Sequence, residues 1–305
     1  MSRSQRLDAL TLADVVRRLS RDGINLSVPP FVMNIRSSIP VVAEGLYALY
    51  GAHEWFDGVG HFTDFQVAVS TRHRVFKKLC VFEMDGFEPF TPLAYGEAFA
   101  FLEWGMNWCI TSHCHNWLTI HSAVLEKNGR AVLLPAPPGS GKSTLCAALM
   151  LHGWRLLSDE MALLDPATGL VTPAPRPVSL KNASIEVIRP RAQGLNFGPV
   201  AHDTLKGTVA HMQVSADSLA KAHVPALPAW VVFPKYVKGA PLTVRDHPKS
   251  QALVALASNS FNHHVHGRTG FEAVADLIER CACHDLEYAS LEDALGWFDA
   301  LEAQP

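Results

Sequence analysis

Apolar positions recur three and four residues apart in some stretches of this chain and every second residue in others, and the two periods mark out its elements. Leu12, Val15, Val16 and Leu19 share one helical face behind Thr11, with Asp14 placed to answer a Thr11 cap and Gly23 to stop the helix. Pro40 suits the first turn of a second helix, whose Val42, Leu46, Leu49 and Tyr50 fall on one side before Gly51. Phe65, Val67 and Val69 alternate with Gln66, Ala68 and Ser70, and the run Val75–Phe82 follows, which predicts a pair of strands. From Leu93 to about His113 the pattern is helical again and rich in Phe, Leu and Trp.

The middle of the chain changes character. Trp117–Leu125 (WLTIHSAVL) and Arg130–Leu134 (RAVLL) are apolar runs joined by Glu126-Lys127-Asn128-Gly129, and Asn-Gly is a strong signal for a tight hairpin. After a glycine-rich stretch, Leu145–Leu151 reads as helix with Gly153 as its stop, and Trp154–Ser158 reads as a strand ending in Asp159 and Glu160. Toward the C-terminus the pattern predicts an amphipathic helix over Phe271–Ala282 and a short strand over Leu286–Tyr288. Ser290 and Asp293 then cap a last helix running through Leu301.

Length and composition set the scale. A chain of 305 residues suggests two domains, an N-terminal α+β domain over 1–115 and a second over 116–305 that ends in a helical extension. With 48% hydrophobic and 18% charged residues the chain can bury a core, which excludes wholesale disorder. A formal charge of -3 supplies no global field toward nucleic acid, so no nucleic-acid partner is expected. No apolar run reaches the ~18 residues of a membrane span, and no secretory signal is read at the N-terminus. A cytoplasmic location follows as the expectation, with the six cysteines reduced.

The glycine-rich stretch carries the chemistry. It reads Ala136-Pro137-Pro138-Gly139-Ser140-Gly141-Lys142-Ser143-Thr144 between a strand and a helix, the setting a phosphate-binding loop requires. Residues Pro138 to Thr144 would wrap the phosphates of ATP with backbone N–H groups, and the following helix N-terminus adds partial positive charge. Lys142 would reach the β- and γ-phosphates, and the Ser143 hydroxyl would complete the shell of a bridging Mg²⁺. Ala136 stands where the usual motif has its first glycine.

Asp159 and Glu160 resemble the acidic end of a Walker B strand. One carboxylate would hold Mg²⁺ while the other accepts a proton from an attacking hydroxyl. His121 sits in the strand before the loop; a lone strand histidine is more often a packed core residue, but the hairpin brings it toward the phosphates. Arg176, Lys181, Lys206 and His211 are further candidates for phosphate or acceptor contacts, although solvated charge is the plainer reading of each. Three His/Cys clusters, His113-Cys114-His115, His263-His264-x-His266 and Cys281-x-Cys283-His284, contain zinc-ligand types without paired C-x₂-C spacing. The base-reading N-K-x-D of a GTPase is absent.

The order of parts resembles the HPr kinase/phosphorylase family, itself similar to phosphoenolpyruvate carboxykinase. More narrowly, NWLTIHSAVLEKNGRAVLLPAPPGSGKSTL, GWRLLSDEMALLDP and RPVSLKNASIEVI resemble the group called HprK-related kinase A. The likeness is most specific from about Glu103 to Arg189 and weaker toward both ends. It implies an α/β fold with a P-loop kinase core and an ATP- and Mg²⁺-dependent transfer of phosphate to a hydroxyl, in HPr kinases a serine of a small carrier protein. For this group it implies a small PqqD-like acceptor, and a homo-oligomer is compatible with it. The family's catalytic aspartate falls on Asp159; its second acid, usually aspartate, is here Glu160, and its His-Gly pair is here His121-Ser122. Those changes keep kinase chemistry and do not extend to the reverse phosphorylase reaction. The alternative is a regulatory nucleotide-binding module without turnover.

Overall fold

The computed structural model describes residues 4–57, 61–137 and 139–302 of a mixed α/β chain. The apolar run around His121 folds as two strands, Leu118–His121 (β1) and Ala123–Lys127 (β2), which part at Ser122 and join different sheets. β2 turns back on Arg130–Leu134 (β3) through Asn128 and Gly129, whose φ angles of 54° and 82° suit the tight turn that Asn-Gly favours. Lys142–Leu151 (α1) follows, and Arg155–Ser158 (β4) then pairs antiparallel with β2 on the side away from β3. The chain crosses at Asp159 and Glu160 into Met161–Leu164 (β5), which pairs antiparallel with β1. Two neighbouring strands therefore change sheets at the same level.

The smaller sheet has the order β6-β5-β1, with Val171–Thr172 as β6. The larger has the order β4-β2-β3-β7-β9-β8: Leu227–Tyr236 (β7) is parallel to β3, Ala282–Tyr288 (β9) is parallel to β7, and Thr243–Asp246 (β8) is antiparallel at the edge. Lys249–Ser258 (α2) and His263–Arg280 (α3) share a core with both sheets, through Leu256, Val274 and Leu277 against Val124, Leu133 and Ile120. α1 packs instead against Leu291–Glu302 (α4), where Trp154 meets Phe298 edge-on at 5.7 Å. With all of Ala131 to Leu134 buried, β3 reads as a continuous apolar run rather than an alternating one. α3 starts earlier than its amphipathic pattern predicts and bends at Gly267, and Ala282 already belongs to β9.

The chain divides into two compact units. The elements just described belong to the unit formed by Thr111–Pro175, Glu186–Gln193 and Ala220–Pro305, and the other holds Met1–Ile110, Arg176–Ile185 and Gly194–Leu219. A boundary near 115 lies close to the first limit, but a second domain running unbroken over 116–305 does not describe the packing. The reason is a buried network: Arg176 donates to the Glu103 carboxylate (2.6 Å), the Glu103 carbonyl (2.9 Å) and Asn107 Oδ1 (2.6 Å), while the Tyr50 hydroxyl donates to Glu103 Oε1 (2.8 Å). The antiparallel strands Val178–Lys181, Gly207–Met212 and Ala201–Thr204 come with it, and His211 lies edge-on to the Phe99 ring at 5.7 Å.

That first unit also contains a seven-stranded mixed sheet, in the order Ser4–Arg6, Glu54–Phe56, Ile24–Val28, Phe31–Ser37, Phe65–Arg74, Lys77–Met84, Leu93–Ala94. The helices Leu12–Leu19, with its Thr11–Asp14 capping box, and Pro40–Leu49 form as their patterns predict. Val75 and Phe76, by contrast, make the turn between two strands instead of opening the second. Among the described residues, no helix is long and apolar enough to cross a membrane.

Candidate functional site

β3 ends at Leu134 and α1 begins at Lys142, with Gly141 at its N-cap. Gly139 and Gly141 both take φ of 87°, a left-handed conformation that costs a residue with a Cβ about 1–2 kcal/mol. Gly141 has a second reason to lack one, because a Cβ there would stand 2.9 Å from Tyr236 Cβ and 3.0 Å from the Tyr288 hydroxyl. These two tyrosines end β7 and β9. The Tyr236 N–H donates to the Ser140 carbonyl at 2.8 Å, and the Tyr288 hydroxyl reaches the Gly141 carbonyl at 3.5 Å. The loop is thus clasped by the C-terminal ends of the parallel strands, where ligands of α/β sheets usually bind. Ala136 is buried; Pro138 lies outside the described residues.

At this loop two buried polar atoms make no hydrogen bond among the described residues. Lys142 is only 9% exposed, and its Nζ, like the Ser140 Oγ, is shut off from solvent and makes no hydrogen bond. A buried ammonium is strongly disfavoured without a counter-charge, and each such group in a native structure calls for a reason. The setting suits an anion that accepts hydrogen bonds, since a helix N-terminus follows two left-handed glycines. Ser143 and Thr144, half-buried in the first turn of α1, complete the loop.

The acidic pair lies at the same end of the larger sheet. Ala123 at the start of β2 is opposite Leu134, the last residue of β3, and Val124 is opposite Ser158, the last residue of β4. The Ser158 hydroxyl accepts from the N–H groups of Glu160 (3.3 Å) and Met161 (3.1 Å), which shapes the crossing between sheets. Asp159 is buried and Glu160 half-buried there. The Ser122 N–H donates to the Glu160 carbonyl at 3.2 Å, and His121 Nε2 stands 3.6 Å from Glu160 Oε2. The Cys146 thiol inside α1 senses the same ensemble. Burial pushes its pKa well up, Asp159 and Glu160 push it the same way, and Lys142 opposes them.

His121 is therefore a strand-end residue beside an acid, not a mid-strand core residue. Its ring stacks on Phe261 with centroids 5.7 Å apart, and its backbone N–H donates to the Asn259 carbonyl at 2.8 Å. Asn262 is buried and staples the same segment to β1: its Oδ1 accepts from the Thr119 N–H (2.8 Å), and its Nδ2 donates to the carbonyls of Trp117 (2.8 Å) and Cys114 (3.3 Å). Sequence reasoning missed Phe261, Asn262, Tyr236 and Tyr288, and only the hydrophobic–polar boundary at SFNHH hinted at the first two.

Lys142, Ser143, Asp159, Glu160 and His121 come together within one unit, whereas Arg176, Lys181, Lys206 and His211 belong to the other. Arg176 is committed to Glu103, and His211 is buried against Phe99. Among the described residues, no group of three or more His, Cys, Asp or Glu side chains is placed to hold a metal ion by itself. Mg²⁺ bound with a nucleotide needs only one or two carboxylates and a hydroxyl, because phosphates and water complete its shell. No model of a known protein family matches the chain, and a search of curated proteins finds none significantly similar.

Proposed function

We propose that the protein is an ATP-dependent kinase of the HPr kinase type, with a P-loop kinase core, that transfers the γ-phosphate to a seryl or other hydroxyl of a small protein partner. The observation that carries this reading is the buried, unpartnered Lys142 ammonium at the N-terminus of α1, at the same sheet edge as a buried Asp159. The loop 138–144 and the first turn of α1 would hold the ATP phosphates. Lys142 offsets charge on the transferring group at its Nζ. Ser143, with Glu160 or Asp159, would hold Mg²⁺, which when bound neutralises charge on the β- and γ-oxygens. Asp159 takes the proton of the acceptor hydroxyl at its carboxylate as that oxygen bonds to phosphorus and the bond to ADP breaks. His121 orients Glu160 and the acceptor. The resemblance supports a PqqD-like acceptor.

The test incubates the full chain with ATP labelled at the γ-phosphate, Mg²⁺ and a purified candidate acceptor. Wild type labels the acceptor; Asp159→Asn retains ATP binding and loses transfer by about 10²–10⁴-fold. Transfer unaffected by both Asp159→Asn and Lys142→Ala sinks the mechanism. ATP binding with no transfer to any acceptor favours the regulatory module.

A further inference from the structure

In the first unit, Phe65–Arg74 and Lys77–Met84 form an antiparallel hairpin closed by Val75 and Phe76. Its base is embedded in the sheet: Phe65–Val69 pairs with Met33–Ser37, and Leu79–Cys80 with Leu93–Ala94. Among the described residues, the strand segments Arg72–Arg74 and Lys77–Lys78 have ladder partners only within the hairpin, so the ribbon projects past its neighbours.

Three features at this end work against the hairpin's own stability. A two-residue turn favours Asn, Asp or Gly in left-handed conformations, yet here the β-branched Val75 holds φ of 39°. Arg74 is directly opposite Lys77, and like charges facing each other across a ladder are destabilising. Val75 and Phe76 are 90% and 98% exposed. Arg72 is paired with Glu88, and Lys78 sits over the Tyr95 ring at 3.7 Å, but among the described residues Arg74 and Lys77 have no acidic partner. Departures from turn chemistry, charge pairing and burial that coincide at one spot are the signature of a functional surface.

We propose that this tip docks the protein peripherally on an anionic lipid bilayer. Phe76 and Val75 enter the boundary between headgroups and acyl chains, and Arg74, Lys77 and Lys78 meet the lipid phosphates. Shape and charge order select this occupant. The apex is convex and apolar, so it needs a medium it can enter, and the cations stand behind it on both ribbon faces because successive residues alternate. A nucleic acid would call for cations at the apex, where here Val75 and Phe76 stand instead. The chain as a whole carries a formal charge of -3, so the attraction is local to the tip. None of this depends on the kinase reading.

The full chain is floated with vesicles of phosphatidylcholine alone or mixed with phosphatidylglycerol, at low and high salt. Wild type is expected on the anionic vesicles only, and to be released by salt. Phe76→Ser and the double variant Arg74→Glu/Lys77→Glu each lower the bound fraction at least several-fold. The double variant Val75→Asn/Phe76→Gly installs a favoured hairpin turn, so it is expected to melt at or above the wild-type temperature while losing vesicle binding. Absence of binding to anionic vesicles overturns the proposal, as does equal binding to neutral ones or undiminished binding by the Asn-Gly variant. Capture by an acidic polypeptide or RNA without vesicle binding also overturns it.

Discussion

Lys142 and Arg176 are both buried cations, and they are buried on opposite terms. Arg176 meets a carboxylate, a carbonyl and an amide oxygen, and Glu103 in turn accepts from Tyr50, whose own ionisation is pushed well up by burial and then by the adjacent Glu103 charge. Arg155 is held the same way, by Glu126 and by the carbonyls of Lys221 (2.9 Å) and Val224 (2.8 Å). Lys142 has none of this, although its burial is comparable. The guanidinium groups organise the fold, since their partners come from segments far apart in the chain. The ammonium sits beside a loop that Tyr236 and Tyr288 hold through Ser140 and Gly141, and among the described residues it makes no hydrogen bond. Burial alone does not distinguish the two: Arg176 leaves its Nε unbonded but meets a carboxylate through Nη2, whereas Lys142 Nζ meets no acceptor among the described residues.

The contrast can be broken at either end. The largest effect is expected from Arg176→Met, which strands the Glu103 carboxylate and should destabilise the protein by about 3–5 kcal/mol in denaturant titration. Transfer activity per folded molecule should stay near wild type. Unchanged stability with lost transfer would place Arg176 in the chemistry instead. Lys142→Met should do the reverse: transfer falls by about 10²–10³-fold in the labelling assay, and the melting temperature without nucleotide stays level or rises. ATP with Mg²⁺ should raise the melting temperature of wild type and not of this variant; a marked loss of stability in Lys142→Met would mean that the ammonium is satisfied within the fold. The smallest effect tests the clasp. Gly141→Ala strains the left-handed position by about 1–2 kcal/mol and pushes on Tyr236, so ATP-induced stabilisation should shrink more than baseline stability; equal loss of both would assign Gly141 to folding only.

Much of the site was legible because its signals are short-range. Asn128-Gly129 sets a hairpin register whatever surrounds it, and the succession of strand, left-handed glycines and helix is the one the motif predicts. The capping boxes are likewise local. The splitting of WLTIHSAVL at Ser122 was not legible, since both halves are apolar and buried and periodicity does not say which sheet receives them. Nor was the turn at Val75 and Phe76, because two strand-favouring residues read as strand. The return of residues 176–185 and 194–219 to the first unit rests on Arg176 meeting Glu103, 73 positions earlier, a pairing that no window reveals.

The sequence by itself determined the phosphate-loop candidate, the acidic pair and the helices Leu12–Leu19, Pro40–Leu49 and Leu291–Glu302, for these follow from φ preferences, caps and residue chemistry within a few positions. Only the tertiary structure decided that two strands change sheets together beside that loop, that Arg176 is a structural cation and Lys142 an unpartnered one, and that Phe76 stands bare at the end of a basic ribbon. Each of those outcomes depends on which distant groups arrive to bury or satisfy a residue, and that is a property of the packed chain.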